Sequence, residues 1–405
     1  MSRNLPLRQL SAMCGGSLPC YGGFRYSQNH AVSTMKDRTR VLLLIPHLGG
    51  GGAEQVFATL ARELPPEKYD LHLGLITDGT PGADPIPRFV SIHLLNSRRV
   101  RYAPIRVLRL VWQLRPDVIL SGMAHLNLLV LALGPFLPSH TRILVRQNGT
   151  ASSALAATKL PSFVRLCYRS LYRHADRVIC QSVPMADDLC ATAGLSPSKV
   201  TVLRNPIDID RIRRICADSK IRCPEIGPHL LAVGRLSSEK GFDLLLDAFS
   251  KVRTKIPTAT LLIAGAGPSE SALKEQSITL GLNGAVKFLG WVVSPAEYFK
   301  GTSLFVLPSR HEGMPNALLE AAAAGLPIVA LPASGGIVNL LARQQGVWLA
   351  DAISIEALTI SLLAALSHLA PYERFPHPWV EMFRLKHAIA GYENLIDQAL
   401  RKQHA

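Results

Sequence analysis

The run Val41-Leu-Leu-Leu-Ile45 is apolar at every position, and it is followed by Gly49-Gly-Gly-Gly52 and then by helical spacing over Ala53–Leu64. A strand that is apolar at every position must be covered on both faces. Parallel sheets sandwiched between helices meet that requirement, and half-exposed antiparallel sheets do not. The same unit recurs. Leu71–Ile76, Asp117–Leu120, Arg142–Val145, Arg177–Cys180 and Val200–Leu203 read as further short strands, with helical stretches between most of them. Such alternation is the signature of a doubly wound α/β domain.

The alternation stops at Asn205-Pro206, where Pro224, Gly227 and Pro228 follow, and then restarts. His229–Val233, Thr260–Ala264, Ala285–Phe288, Leu304–Leu307 and Ile328–Ala330 read as strands, with a helix over Phe242–Val252. A chain of 405 residues suits two domains, since a typical domain has about 100–200. The expected organisation is a flexible N-terminal extension over 1–35 and a first α/β domain over 36–207. An interdomain linker over 208–228, a second α/β domain over 229–378 and a C-terminal amphipathic helix over 379–405, crossing back towards the first domain, complete it. A cleft between two such sheets is the default ligand site, because ligands bind beyond the carboxyl ends of parallel strands.

Composition sets the remaining bounds. Hydrophobic residues make up 48% and charged residues 18%, enough for two cores and unlike a long disordered chain. The net charge of +15 calls for an anionic partner; no nucleic-acid reading motif accompanies it, which disfavours nucleic acid. Seven cysteines without a CxxC pair form neither a disulfide framework nor a zinc pattern, and suit a reducing compartment. Residues 1–35 lack the apolar core of a signal peptide; they read as an extension or as an upstream start, since Met35 directly precedes the first strand. Val118–Pro138 has the length of a membrane span, but Gly122, His125, Asn127 and Gly134 divide it into a strand and a helix.

Three constellations could carry chemistry. Gly49–Gly52 lies between a strand and a helix, where amides and the helix N-terminus attract an anion; the bland alternative is a tight turn. Gly234-Arg235-Leu-Ser-Ser-Glu239-Lys240-Gly241 puts two cations five residues apart after another strand, suited to clamping phosphates; the alternative is a solvated loop with an ion pair. The third is Pro308-Ser-Arg-His-Glu312-Gly-Met-Pro-Asn316-Ala-Leu-Leu-Glu320, continuing to Gly325-Leu-Pro327. Pro315 suits a first helical turn and Gly325 a helix stop. Glu312 and Glu320 can face one cleft, and a carboxylate accepts hydrogen bonds from vicinal hydroxyls of a sugar or ribose.

Arg235 with Lys240, followed by Glu312-x7-Glu320, resembles the retaining glycosyltransferases of family 4, the group 1 glycosyltransferases. The Gly-Gly-Ala-Glu loop, Ala264-Gly265-Ala-Gly267-Pro268 and Phe288-Leu-Gly290 add to a likeness over residues 40–345. The resemblance implies two tandem Rossmann-like doubly wound domains facing a central cleft (GT-B). It implies that Arg235 and Lys240 bind the donor diphosphate, that Glu312 binds the donor sugar, and that Glu320 contacts the ribose. Gly51 and Gly52 would face the phosphates from the other domain, and Gly313, Met314, Pro315 and Asn316 would line the sugar pocket. Arg235, Lys240 and Glu312 would be the catalytic group, with no metal and no cofactor; Asp208-x-Asp210 resembles a metal motif only superficially. Retention through a front-face reaction would let the leaving phosphate accept the acceptor proton, so no separate base is expected.

Two departures stand out. Relatives carry a histidine after the fourth strand, where this chain has Arg146-Gln147-Asn148; Arg146 or Asn148 would take its place. A glutamate is usual in the segment that here reads Ser334-Gly335-Gly336-Ile-Val-Asn339. His125 and Asn127 are acceptor-side candidates, or ordinary core residues. Arg165, Arg169 and Arg173 share a helical face with Phe163 and Leu166 nearby, which suits an anionic membrane surface or a merely solvated face. The expected function is transfer of a sugar from a nucleotide-diphosphate donor, UDP favoured over GDP, to a lipid-linked glycan acceptor in polysaccharide or lipopolysaccharide synthesis. The expected place is peripheral, on the cytoplasmic face of the membrane. The alternatives are a non-catalytic nucleotide-sugar-binding scaffold and a UDP-sugar epimerase.

Overall fold

The computed structural model describes residues 38–49, 51–77, 85–156, 158–221 and 227–401. The expected extension over 1–35, together with Gly50 and Pro224, lies outside them. From Arg38 onward the chain clusters as one unit that holds two parallel sheets.

The first sheet comprises β1 (Thr39–Ile45), β2 (Tyr69–Leu75), β3 (Ser91–Leu94), β4 (Val118–Gly122), β5 (Arg142–Arg146), β6 (Arg177–Cys180) and β7 (Val200–Val202), in the order β3-β2-β1-β4-β5-β6-β7. The second comprises β8 (His229–Val233), β9 (Thr260–Ala264), β10 (Val286–Gly290), β11 (Leu304–Leu307), β12 (Ile328–Ala330) and β13 (Val347–Leu349), in the order β10-β9-β8-β11-β12-β13. Every pairing is parallel. This is the tandem Rossmann-like arrangement that the alternation implies.

Side-chain alternation along β1 explains the double coverage. Leu42 and Leu44 enter one core with the helices Pro104–Leu114, Ala124–Leu133 and Val183–Ala193. Val41, Leu43 and Ile45 enter the opposite core with the helix Gly52–Glu63 and with Ile389, Tyr392, Leu395 and Ile396 of the C-terminal helix. Each such buried Leu or Ile contributes about 1.5–3 kcal/mol, and that fixes the last helix on the first domain.

Three local features differ from the sequence reading. The linker over 208–228 contains a helix, Ile209–Asp218, because the Asp208 carboxylate caps it by accepting from the Arg211 amide at 3.0 Å. The helix expected from Trp379 begins as a 3-10 turn, Pro378–Phe383, and becomes α-helical only from Leu385 to Arg401. Between them, Ile207 N–H donates to Phe383 O and Leu385 N–H to Ile207 O, each at 2.9 Å, and this bridge needs extended backbone at Arg384. The helix carrying Arg165 and Arg169 ends at Leu171, so Arg173 sits in a following 3-10 turn. Among the described residues no helix is long and apolar enough to cross a membrane.

Candidate functional site

Strand order reverses between β1 and β4 in the first sheet, and between β8 and β11 in the second. Crevices open beyond the carboxyl ends of strands at such switch points. The loop ending in Gly51–Gly52 follows β1, and Met123–His125 follows β4. Gly234–Gly241 follows β8, and Pro308–Asn316 follows β11. All three constellations therefore sit at switch points, and contacts between them join the two domains.

In the second domain, Lys240 Nζ lies 2.5 Å from Glu312 Oε1, and Ser309 Oγ donates to the same oxygen at 2.7 Å. The Glu312 side chain is 8% exposed, so its charge is largely withdrawn from water and needs these partners. Arg235, on the same loop as Lys240, is exposed, and its guanidinium carries no hydrogen bond or ion pair among the described residues. Arg310 staples the two loops together. It donates to both Asp243 oxygens at 2.7 and 2.6 Å and to Ser238 O at 2.8 Å, the bidentate geometry guanidinium favours. The guanidinium beside Asp243 holds its carboxyl below the usual range. Gly241 has φ +64°, and a Cβ there would lie 2.0 Å from Pro308 O; a side chain at 241 would push the loops apart.

Glu320 lies on the helix Asn316–Ala323 and is buried. Burial pushes its pKa up to about 7, against a lowering hydrogen bond from Gln55. That bond crosses the cleft: Gln55 Nε2 donates to Glu320 Oε1 at 3.2 Å. Asn316 Nδ2 approaches Gly52 O at 3.2 Å and Gln55 Oε1 at 3.3 Å. Asn205 Nδ2 in turn donates to Asn316 Oδ1 at 2.7 Å and to Met314 O at 3.0 Å.

Arg146 anchors this chain of bonds. It is fully buried and donates to Tyr392 Oη at 3.0 Å, to Asn205 Oδ1 at 2.6 Å and to Asn148 Oδ1. All these partners are neutral. The guanidinium thus ties β5, the chain crossing at Asn205 and the C-terminal helix together, and through Asn205 it reaches the loop that carries Met314 and Asn316. Arg146 itself is enclosed by protein, whereas the Asn148 amide lies at the seam between the domains.

The other candidates take varied places. Gly313 is buried against the first domain, where a Cβ would meet Asn148 O at 2.6 Å, Met185 Cε at 2.7 Å and Gln181 Oε1 at 2.9 Å. Pro315 is the cap residue preceding the helix from Asn316. Gly51 and Gly52 start the helix after β1, whose first turn already holds a carboxylate, the buried Glu54. His125 is exposed beyond β4, next to Met123, whose φ of +77° is strained for a residue with a side chain. Asn127 is fully buried, accepting from Ser121 Oγ and donating to Arg146 O. Asp208 caps its helix and Asp210 pairs with Arg384 at 2.6 Å. Asn339 is exposed.

Sequence reasoning missed Gln55, Gln181, Asn205 and Ser309. Ser309 stands inside the third motif and could have been named from it. Gln55 and Gln181 carry no local signal, because their partners come from distant parts of the chain.

Two family models cover both domains: Glycosyltransferase Family 4 matches residues 50–211, and Glycosyl transferases group 1 matches residues 227–368. The chain belongs to the group 1 glycosyltransferases of family 4. An uncharacterised glycosyltransferase of Haemophilus influenzae is 35% identical over 133 residues, which is 33% of this chain and 38% of that relative, so the match spans little more than a third of its length. The N-acetylgalactosamine-N,N'-diacetylbacillosaminyl-diphospho-undecaprenol 4-alpha-N-acetylgalactosaminyltransferase of Campylobacter jejuni is 26% identical over 75% of this chain and 83% of its own. Among solved structures, Anabaena HepE in complex with UDP has a TM-score of 0.69 at 17% identity, covering 89% of this chain and all of that one. That likeness shows the GT-B fold.

Proposed function

We propose that this chain is a retaining glycosyltransferase that moves a sugar from a nucleotide-diphosphate donor, UDP before GDP, to a lipid-linked glycan acceptor. The observation that carries the reading is the contact between Lys240 and Glu312, beside the unpaired Arg235, at the β8/β11 switch point. On donor binding Lys240 exchanges its carboxylate partner for a phosphate oxygen. Glu312 is thereby released to accept hydrogen bonds from sugar hydroxyls. Arg235 supplies a second cation, and together they stabilise the charge that develops on the leaving diphosphate without a metal. Glu320, deeper in the same cleft, exchanges the Gln55 amide for the ribose hydroxyls. The acceptor hydroxyl attacks the anomeric carbon on the face the phosphate is leaving: the new carbon–oxygen bond replaces the bond to the phosphate oxygen, the proton passes to that phosphate, and attack on the same face keeps the configuration.

UDP is preferred because HepE binds it. A lipid-diphosphate acceptor is preferred because the Campylobacter relative is named for one. The surface of the first domain supports a membrane-bound acceptor. Its helices Pro104–Leu114 and Pro161–Leu171 cover one face of the sheet and expose Ile105, Trp112, Phe163 and Leu166, with Arg106, Arg109, Arg165 and Arg169 exposed among them. Apolar side chains interleaved with cations suit the boundary of an anionic bilayer.

The test is a melting panel with UDP, GDP, ADP and CMP on the parent and on the Arg235→Ala/Lys240→Ala variant. A ligand at about 100 times its Kd stabilises the native state by about 2.7 kcal/mol. One diphosphate should raise the Tm of the parent and not that of the variant. No shift with any nucleotide, or an equal shift in both proteins, overturns the reading.

A further inference from the structure

Two buried polar atoms without a hydrogen-bond partner stand side by side at the seam between the domains: Asn148 Nδ2 and Gln181 Oε1. Their orientations are fixed by what surrounds them. Asn148 Oδ1 accepts from the Arg146 guanidinium and from Gln181 Nε2, the latter at 3.4 Å. Turning this amide over would press its NH2 against the guanidinium. Gln181 Nε2 also faces Gln147 O at 3.4 Å, and turning that amide would set carbonyl oxygens against one another. The seam therefore holds one free NH2 donor group and one free C=O acceptor, both contributed by the first domain. A buried polar group left unpaired carries a desolvation cost that calls for an explanation.

Gly313 supplies the context. It follows Glu312 and packs on these two residues, where a Cβ would lie 2.9 Å from Gln181 Oε1 and 2.6 Å from the main-chain oxygen of Asn148. Any larger residue would hold the loop off.

We infer that Asn148 and Gln181 determine specificity for the transferred sugar. When the loop carrying Gly313 draws back for a donor, Asn148 Nδ2 donates to, and Gln181 Oε1 accepts from, a polar substituent of the sugar held by Glu312. The group recognised both donates and accepts, as a hydroxyl or an acetamido group does. Arg146 acts through Asn148 as a positioning residue, holding the amide so that its NH2 faces the cleft. This inference rests on the donor-site reading above.

The experiment measures Kd by calorimetry for UDP, UDP-glucose, UDP-galactose, UDP-N-acetylglucosamine and UDP-N-acetylgalactosamine, with no acceptor present. The variants are Gln181→Leu and Asn148→Asp. The second keeps the bond to Arg146, gives that cation a counter-charge and replaces only the free donor, so it guards against a variant that fails to fold. UDP affinity should stay within about twofold, while the ratio of UDP-sugar to UDP affinity for the preferred sugar falls about tenfold, the worth of one hydrogen bond. Unchanged ratios for all four sugars, or equal weakening of UDP and UDP-sugars, overturn the inference and leave the donor site standing. Failure of the parent to bind UDP or GDP sinks both.

Discussion

At pH 6 a carboxyl with a pKa of about 7 is roughly nine-tenths protonated, and at pH 8 roughly nine-tenths ionised. Glu320 is such a group, because burial pushes it up to about 7. A ribose diol donates its hydrogen bonds more strongly to a carboxylate than to the acid, so the bound form has the lower pKa and donor binding expels a proton. The sign follows: affinity is fully present above pH 7 and declines as pH falls through it. Between pH 8 and pH 6 the ionised fraction drops about tenfold, and the UDP Kd rises about tenfold with it, equivalent to about 1.4 kcal/mol. Calorimetry from pH 6 to 8 in buffers of different ionisation enthalpy measures both the Kd and the proton released. Glu320→Gln keeps the oxygen that accepts from Gln55 and removes the titration, so its Kd should be flat over the range. A flat profile in the parent, or the same slope in Glu320→Gln, refutes the argument that Glu320 meets the donor as a carboxylate.

Gly241→Ala forces a side chain towards Pro308 O in a left-handed turn. It should destabilise the fold by about 1–3 kcal/mol in urea titrations and weaken UDP binding, since both donor loops shift. Arg146→Met leaves acceptors on Tyr392, Asn205 and Asn148 without their donor, and should lower stability by roughly 3 kcal/mol; an unchanged urea midpoint would show that the network contributes nothing. The protein should co-sediment with vesicles containing anionic lipid at low salt and release as ionic strength rises, with Phe163→Ser/Leu166→Ser weakening the association. Equal binding to zwitterionic vesicles counts against the membrane reading.

The parallel sheets were legible because strands buried on both faces write themselves as unbroken apolar runs, and Val41–Ile45 is the clearest. Two edge strands were not. Ser91–Leu94 has three exposed positions, and Val347–Leu349 is only half-buried, so neither carries the double-faced signal. The site divides in the same way. Arg235 and Lys240 lie in one compact motif and Glu312 and Glu320 in another, each beside a strand end, but Lys240 meets Glu312 only because β8 and β11 are neighbours in the sheet. Gln55 meets Glu320 across 265 positions of sequence, and that meeting exists only once the two domains have docked. Asn205 looked like a turn residue before a proline; its amide proves to join three segments, which no local pattern encodes. The linker helix shows a smaller lesson of the same kind, since Asp208 was set aside as a superficial likeness to a metal motif while its capping role went unread.

The chain crosses between the domains twice, near Ile207 and near Arg384, and the two crossings are bonded to each other through Ile207. Two connections far apart would clamp the halves rigidly, and a single one would let them tumble. Two laid together behave as an axle and leave essentially one freedom, a swing about their common line. For a given angle, displacement grows with distance from that line. Asn205, two residues from Ile207, moves least, while the outer lips of the cleft sweep the widest arc. Any opening that admits a substrate is therefore wedge-shaped, with its apex at the paired crossings of Ile207 and Arg384.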